Sequence, residues 1–185
     1  MNVIVSMLRA VNVGGHNKLP MESLRELYAS LKLRDVQTYV QSGNVVFRTE
    51  ERDLDRLRDR IQKKIKGGFG FAPEIILRST AEMRETVARN PFAARRGIEP
   101  NKLLVTFLAT HPGAEERKKA LEINAAPEEM HILGREAYIY YPNGMGRPKL
   151  LWTAVERILK TVGTARNWNT VTKLLEIAEK LEAVE

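Results

Sequence analysis

The sequence predicts an α+β protein made of two similar subdomains, each based on the element order β-α-β-β-α-β, with a helix at the C-terminus. Three observations lead to this prediction. Short valine-rich runs alternate with stretches in which apolar residues recur at helical spacing. A turn sequence typical of a hairpin occurs once in each half of the chain. The chain has 185 residues, 43% of them hydrophobic, which is enough for one ordinary domain or two small ones.

The first predicted subdomain covers residues 1–79. Its elements are, in order, a strand over 3–9, a helix over 21–33, a hairpin within 37–49, a helix over 53–65 and a strand over 74–77. The strands are rich in β-branched residues, and the helices carry leucine and isoleucine on one face. The turn at 42–44 has the composition of a tight hairpin, and Gly67-Gly68 is expected to end the second helix. This order is typical of a ferredoxin-like subdomain.

A connector over residues 80–101 follows, with a short helix that Asn90-Pro91-Phe92 ends. The second predicted subdomain, residues 102–185, repeats the order of the first. Its elements are a strand over 103–109, a helix over 112–124, a hairpin formed by 130–133 and 137–141, a helix over 150–160, a loop over 163–168 and a last helix. This copy therefore ends in a helix and lacks an obvious fourth strand. We interpret the two halves as a structural duplication, because they share an element order.

The composition excludes several classes of protein and site. The sequence contains no cysteine, which rules out disulfides, thiolate zinc ligands and a cysteine nucleophile. The three histidines lack metal-ligand spacing, so no metal site is predicted, and the sequence does not identify a cofactor. No apolar run approaches the roughly 20 residues of a membrane helix, and the N-terminus does not resemble a signal peptide. We therefore expect a cytoplasmic protein without a membrane partner.

The net charge of +7 arises from 30 lysines and arginines against 23 acidic residues. A basic protein attracts anions such as nucleic acids, nucleotides and phosphorylated metabolites. The acidic residues are interleaved with the basic ones along the predicted helices, as in Asp53 to Arg60. That pattern is equally typical of a solvated helix face with ion pairs at helical spacing. The charge alone therefore leaves both interpretations open.

The loop after the first strand carries the first cluster of candidate site residues. Its polar and glycine residues are Arg9, Asn12, Gly14, Gly15, His16, Asn17 and Lys18. Two glycines let a ligand approach the backbone closely, while the amides and cations would suit a phosphate or a carboxylate. The loop lacks the glycine spacing of known nucleotide-binding motifs. A turn that needs left-handed glycines explains the same residues equally well.

One further cluster lies in the first predicted hairpin, and another follows the second. In the first hairpin, Ser42 and Asn44 are candidate ligand-binding residues, although a turn explains both, and no histidine near Ser42 in sequence could activate it. After the second hairpin, Asn143, Arg147 and Lys149 lie in a glycine loop before a helix, which would seat an anion or simply start the helix. The later loop adds the candidates Arg166 and Asn167. No catalytic residue is predicted.

The segment from Lys66 to Phe71 resembles the aromatic signature of RNA-recognition motifs, whose element order is also β-α-β-β-α-β. That signature belongs on the third strand, where its aromatic rings stack on bases. Here the segment lies between the second helix and the fourth strand, and the third strand offers only Phe47 as an aromatic residue. The sequence therefore disfavours RNA binding of that kind.

Five motifs of the sequence together resemble the bacterial family called domain of unknown function 1697. The motifs that carry the resemblance are Met7–Lys18, Thr38–Phe47, Asn90–Phe92, Tyr141–Gly146 and Thr164–Thr170, which span nearly the whole chain. Ala10 stands where the family usually has glycine, and Pro148 where it usually has serine, which removes a hydroxyl and an amide from the third cluster. The resemblance implies two similar ferredoxin-like subdomains. It implies no activity, because the family has none assigned.

Three hypotheses about function remain. The first is a protein that binds a small anionic ligand, such as a nucleotide or phosphorylated metabolite, between its two subdomains. In that hypothesis the arginines and lysines of the clusters meet the anion, and the asparagines orient it. The second is a nucleic-acid-binding module that uses the positive charge over a sheet surface. The third is an interaction protein whose polar motifs merely hold turns. The sequence decides neither whether the protein is an enzyme nor its oligomeric state.

Overall fold

A computed structural model describes residues 1–184 of the chain. Within these residues the chain forms eight strands and six helices, and the strands build two four-stranded antiparallel sheets. The chain divides into two compact units, unit 1 (residues 1–84 and 173–184) and unit 2 (residues 85–172). The α+β class with two similar subdomains is confirmed. The predicted domain boundaries at residues 79 and 102 stay predictions.

Unit 1 contains the first sheet. Its elements are β1 (Asn2–Leu8), α1 (Met21–Ser30), β2 (Arg34–Tyr39), β3 (Asn44–Thr49), α2 (Leu54–Phe69) and β4 (Ile75–Ser79), followed by α3 (Thr80–Ala88). The strand order in the sheet is β2-β3-β1-β4, so β1 lies in the centre between β3 and β4. In this register Met7 lies opposite both Asn44 and Ile76. Residues distant in sequence therefore meet where β1 ends and β3 and β4 begin.

Both faces of the unit 1 sheet are buried. Alternate residues of the central strands, such as Ile4 and Phe47, pack against α1 and α2 in the main core. The residues between them, such as Val5 and Val46, lie on the opposite face and are also buried. On that face Arg48 donates hydrogen bonds to the carbonyl oxygens of Leu181 and Val184 in the C-terminal segment of the unit. The central strands consequently expose no face to solvent.

Unit 2 repeats this arrangement with its own sheet. Its elements are β5 (Leu103–Leu108), α4 (Ala114–Leu121), β6 (Glu129–Leu133), β7 (Glu136–Tyr140), α5 (Trp152–Leu159) and β8 (Gly163–Asn167), followed by α6 (Trp168–Ala183), which ends in unit 1. The strand order β6-β7-β5-β8 matches that of the first sheet position by position. Tyr138 on β7 donates a hydrogen bond of 2.7 Å to the carbonyl of Thr86 in α3.

The fourth strand of unit 2 corrects the sequence prediction. The expected loop over 163–168 is the strand β8, which pairs with β5 from Leu108↔Gly163 to Leu104↔Asn167. Gly163 fits this strand because a Cβ there would lie 2.7 Å from Cγ2 of Thr106. A segment with one glycine and several polar residues lacks the apolar signature of a strand, so its pairing partner decides its conformation.

Two other element boundaries also differ from the predictions. Helix α2 does not stop at Gly67-Gly68 but continues to Phe69 and ends at Gly70, whose φ is +79°. The first hairpin is not a tight turn at 42–44, because residues 40–43 form the connection and Asn44 already belongs to β3. At the start of α2 the carboxylate of Asp53 accepts a hydrogen bond of 3.0 Å from the backbone N–H of Arg56.

Candidate functional site

The structure brings the first two predicted clusters together at one end of the unit 1 sheet. The backbone N–H of Leu8 donates to the carbonyl of Gly43 at 2.9 Å, which ties the end of β1 to the loop before β3. The side-chain amide of Asn12 reaches the same loop and donates to the carbonyl of Gln41 at 2.8 Å. Residues 9–18 and 40–43 thus form one surface, which we call the sheet-1 loop site.

The asparagines of this site hold the loops in place. The Asn12 amide donates to the carbonyls of Gln41 and Leu19, at 2.8 and 2.9 Å, and its Oδ1 accepts from the N–H of Leu19 at 2.8 Å. Asn17 donates to the carbonyl of Ala10 at 3.1 Å. These amide groups are engaged within the protein. They therefore stabilise the loop, as the turn interpretation of the cluster expected.

Asn44 does the same for the hairpin. Its side-chain nitrogen donates to the carbonyl of Tyr39 at 3.1 Å and to the hydroxyl of Ser42 at 2.9 Å, and the residue is fully buried. The Ser42 hydroxyl therefore accepts a hydrogen bond from an amide and is part of the turn. Asn44 is thus packed into the base of the site, and Ser42, which is half-buried, is bonded to it.

The backbone of the site is unusually rich in left-handed conformations. Residues with positive φ are Ala10, Asn12, Gly14, Gly15, Asn17, Val40 and Gly43. Val40 is β-branched and has a φ of +51°, which is sterically unfavourable for such a side chain. Ala10, at +55°, occupies the position where the resembling family usually has glycine, and this φ explains why glycine suits it. Strained backbone of this kind clusters at functional sites in proteins.

Positive charge dominates the exposed side of the site. Residues 9–18 and 40–43 contain no acidic residue, while Arg9 and Lys18 are positively charged. Arg9 is half-buried and its N–H donates to the carbonyl of Glu74 at 2.9 Å, whereas His16 and Lys18 are exposed. At Gly15 nothing lies within 4 Å of the position a Cβ would take. The loop, held in place by the hydrogen bonds of Asn12 and Asn17, therefore exposes cationic side chains and accessible backbone.

The third predicted cluster lies in unit 2. Asn143, Arg147 and Lys149 are exposed in the loop after β7. Helix α5 begins at Trp152, with Leu151 as its N-cap residue and no side-chain cap, so the two cations precede its first turn. Asn167 ends β8, and its Oδ1 accepts a hydrogen bond of 2.9 Å from the N–H of Thr170. This contact caps the N-terminus of α6.

Arg166 is buried in β8 instead of lying in a loop. Only 8% of the residue is exposed, and its guanidinium donates to the Thr164 hydroxyl at 3.1 Å and to the Ala165 carbonyl at 2.8 Å. Burial lowers the pKa of Arg166 to about 10, so the group remains protonated at neutral pH. The sequence did not indicate this burial, because the whole segment was predicted as a loop.

A second buried arginine, Arg78 in β4, was not predicted from the sequence. It is 1% exposed and donates to the carbonyl of Leu77 at 3.1 Å. Arg78 lies opposite Val5 on β1, and Arg166 lies opposite Val105 on β5. The two arginines therefore occupy the same register position in their sheets. One signal for Arg78 was available, namely a single arginine directly after the apolar run of β4.

Within residues 1–184 no group of three or more histidine or acidic side chains could hold a metal ion. None of the helices in the described part of the chain is long and apolar enough to cross a membrane. Phe47, the aromatic residue of β3, is fully buried against the helices and cannot stack on bases. A nucleic-acid site on the central strands of unit 1 would have no open face to use.

Comparisons with known proteins give a fold and a family. The chain is similar to a solved structure described as conserved bacterial protein SP0830 from Streptococcus pneumoniae, with a TM-score of 0.74 and 18% sequence identity. That match covers 97% of this chain and 99% of the other, and at this identity it shows the fold alone. A search of curated proteins gives no match. The model of the family described as "Protein of unknown function (DUF1697)" matches residues 1–138, which include the whole sheet-1 loop site. The resemblance found in the sequence is thereby confirmed, and the chain belongs to the DUF1697 family of proteins of unknown function.

Proposed function

We propose that unit 1 binds a small anion, carrying a phosphate or carboxylate group, at the sheet-1 loop site. The observation that carries this proposal is the convergence of two loops that themselves contain no acidic residue. The Asn12 side chain joins these loops through its 2.8 Å hydrogen bond to Gln41. Cationic side chains and accessible backbone amides on such a support are what small oxyanions require.

The residues of the site divide into two roles in this proposal. Arg9 and Lys18 supply positive charge, and Gly14 and Gly15 let the anion approach the backbone. The asparagines do not contact the ligand, because their amides already bond to carbonyl groups of the protein. Their role is to keep the loop in the conformation that binds, so that little ordering entropy is lost on binding.

A small ligand fits this site better than a nucleic acid. The sheet-1 loop site offers a few cations within one loop, whereas a nucleic-acid interface needs a series of contacts to successive phosphates. The two classes differ in salt dependence. Each phosphate contact lowers log K by about 0.7–0.9 per log unit of salt. Binding of one small anion by this loop should therefore weaken only slightly with salt, and a steep dependence would favour the nucleic-acid alternative.

Titration calorimetry of the full chain with inorganic phosphate and pyrophosphate tests the proposal. The double variant Arg9→Gln with Lys18→Gln should weaken binding by about 10–100-fold, since a hydrogen bond to a charged group contributes roughly 1.5–3 kcal/mol. The matched control is Lys118→Gln with Lys119→Gln, which removes the same charge from exposed positions of α4 and should leave affinity unchanged. No binding of either anion, or equal affinity in all three proteins, would overturn the proposal.

We also propose that each unit is a ferredoxin-like subdomain. The support is the strand order, β2-β3-β1-β4 in one sheet and β6-β7-β5-β8 in the other. In each sheet the first and second strands are separated by the third, and a helix connects them. This is the arrangement of two interleaved β-α-β units. Such folds host unrelated functions, so the proposed function rests on the loop site alone.

A further inference from the structure

We propose that unit 1 contains a second binding site, a groove between α1 and α2 that takes an apolar chain with an anionic head group. The groove has a volume of about 610 Å³. It is lined by Leu27 and Leu31 from the α1 side and by Arg60, Lys63, Lys64, Gly67 and Gly68 from α2. It does not involve residues 9–18 or 40–43, so the inference is independent of the sheet-1 loop site.

The floor of the groove is apolar. Leu27 lies on α1, and Leu31 follows one helical turn later as its C-cap residue. Leu27 is largely buried, and Leu31 is partly exposed beside the main core of unit 1. When an apolar chain covers a surface of this kind, the free energy falls, because apolar area is removed from water.

The rim of the groove is cationic. The acidic residues of α2 do not neutralise it, because Asp55 and Asp59 both bond to Arg58, at 2.8 and 2.9 Å. Lys63 and Lys64 are exposed and make no ion pair within residues 1–184. The groove therefore combines an apolar floor with uncompensated lysines.

Arg60 adds a third cation, and its partners are distant. Its guanidinium lies 3.7 Å from the carboxylate of Glu51 and donates to the carbonyl of Leu31 at 3.4 Å. Both contacts are longer than a charge-assisted hydrogen bond, for which about 2.7–2.9 Å is usual. The side chain is 42% exposed, so an anion in the groove can reach it.

The two glycines of the groove are not required by the fold of unit 1. Gly67 and Gly68 lie inside α2 without a positive φ, and nothing lies within 4 Å of the Cβ position at either. Glycine is among the least favourable residues in a helix interior. By contrast, a Cβ at Gly43 would lie 2.9 Å from Cβ of Leu8. A ligand that lies against the backbone of α2 gives these glycines a function, since a side chain there would narrow the groove.

The size and chemistry of the groove select the occupant. A volume of about 610 Å³ falls within the roughly 300–1,000 Å³ typical of small-molecule sites. The leucines favour packing of an apolar chain, and the cations at the rim attract a negative charge at the end of that chain. A carboxylate and a phosphate monoester on an alkyl chain share this chemistry, and the probes below distinguish them.

Amide NMR spectra of the full chain, titrated with decanoate below its micelle concentration, test the site. Decanoate and monodecyl phosphate should both shift the signals of residues 27–31 and 60–68. The probe that binds more tightly identifies the head group. Decanol lacks the charge and acetate lacks the chain, so at residues 27–31 and 60–68 each should bind at least tenfold more weakly than decanoate. Shifts of equal size with decanol, or no shifts at these residues with either anionic probe, would overturn the proposal.

Variants separate binding from stability. Gly67→Ala with Gly68→Ala should raise the melting temperature by roughly 3–8 °C, because alanine favours the helix, yet weaken decanoate binding at least fivefold. Lys63→Gln with Lys64→Gln should weaken binding of decanoate but not of decanol. Lys118→Gln with Lys119→Gln, at exposed positions of α4, serves as the matched control that leaves the groove intact. Unchanged decanoate affinity in the glycine and lysine variants would contradict the assignment.

Discussion

The two units share a frame and differ in the loop attached to it. In unit 1 the N–H of Leu8 bonds to the carbonyl of Gly43 at 2.9 Å, and in unit 2 the N–H of Leu108 bonds to the carbonyl of Arg135 at 2.8 Å. Between the first strand and first helix, however, unit 1 has residues 9–20 where unit 2 has only residues 109–113. The longer loop carries the left-handed residues and the cations. The sheets thus provide a common support, and the loop after β1 distinguishes unit 1 from unit 2.

The buried arginines Arg78 and Arg166 have a structural role that the two units share. Arg78 and Arg166 occupy the same register position, opposite Val5 and Val105, and both are buried. A feature present in both units belongs to the shared frame. We therefore do not include Arg166 in the anion site, although the sequence analysis placed it there.

The largest expected effects come from one register position that the two units fill differently. Ile75 lies opposite Leu8 in unit 1, and Gly163 lies opposite Leu108 in unit 2. Ile75→Ala should destabilise the protein by about 2–5 kcal/mol, because it leaves a cavity in the main core. Gly163→Ala should destabilise it by about 1–3 kcal/mol through overpacking against Thr106. Urea unfolding measures both, and a neutral Gly163→Ala would contradict the packing of β8.

An effect smaller than that of Ile75→Ala is expected from the glycine that ties the sheet-1 loop site to β1. In Gly43→Ala the new Cβ would sit on a backbone with a φ of +76° and lie 2.9 Å from Cβ of Leu8. We therefore expect the free energy of unfolding to fall by about 2–4 kcal/mol. Gly15→Ala has a similar φ, +79°, but open space, so only about 1–2 kcal/mol should be lost. The difference between the two, measured by urea unfolding, isolates the steric contact. Equal losses would mean that Gly43 is not packed against Leu8.

A buried hydroxyl pair in the core of unit 1 should have an effect of about 1–3 kcal/mol. Ser6 Oγ and Tyr28 Oη lie 2.8 Å apart and are fully buried, and burial raises the pKa of Tyr28 far above its usual value. Ser6→Ala leaves the tyrosine hydroxyl without this partner and should cost about 1–3 kcal/mol. The double variant Ser6→Ala with Tyr28→Phe should recover part of that loss. Additive losses in a double-mutant cycle would show that the pair is not coupled.

The smallest expected effect is a pH dependence at the surface of unit 2. Arg95 bonds to Glu129 at 2.6 Å, and this hydrogen bond lowers the pKa of Glu129 below its usual value of about 4.3. The pair therefore stabilises the fold above that pH, and the contribution is lost as the pH falls through the lowered pKa. Arg95→Gln should reduce the fall in melting temperature between about pH 5 and 3. The control Arg96→Gln, at an exposed neighbouring position, should leave the fall unchanged.

The sequence predicted the two-subdomain α+β fold because apolar periodicity is a local property. It missed β8, since Gly163 to Asn167 has little apolar signal and forms a strand only through pairing with β5. It also ended α2 at Gly67-Gly68, where helical context overrides the weak propensity of glycine. Local sequence patterns do not show such effects of strand pairing and helical context.

The candidate site was predictable in composition but not in assembly. The residue types after β1 and in the hairpin indicated two polar loops, and both are present. Their meeting depends on the pairing of Met7 with Asn44, which is a register and not a motif. The role of Asn12 was likewise hidden, because its partners Leu19 and Gln41 become visible only when the loops are placed together.

An amide NMR titration of the full chain with inorganic phosphate, at moderate salt, tests most directly whether unit 1 carries the anion site. If unit 1 carries the anion site, the signals that move should belong to residues 9–18 and 40–43, and they should stop moving at saturation. The same residues should respond far less in the Arg9→Gln, Lys18→Gln variant. Saturable shifts at residues 143–149 of unit 2 instead, or no saturable shifts in either unit, would contradict the assignment of binding to the longer loop of unit 1.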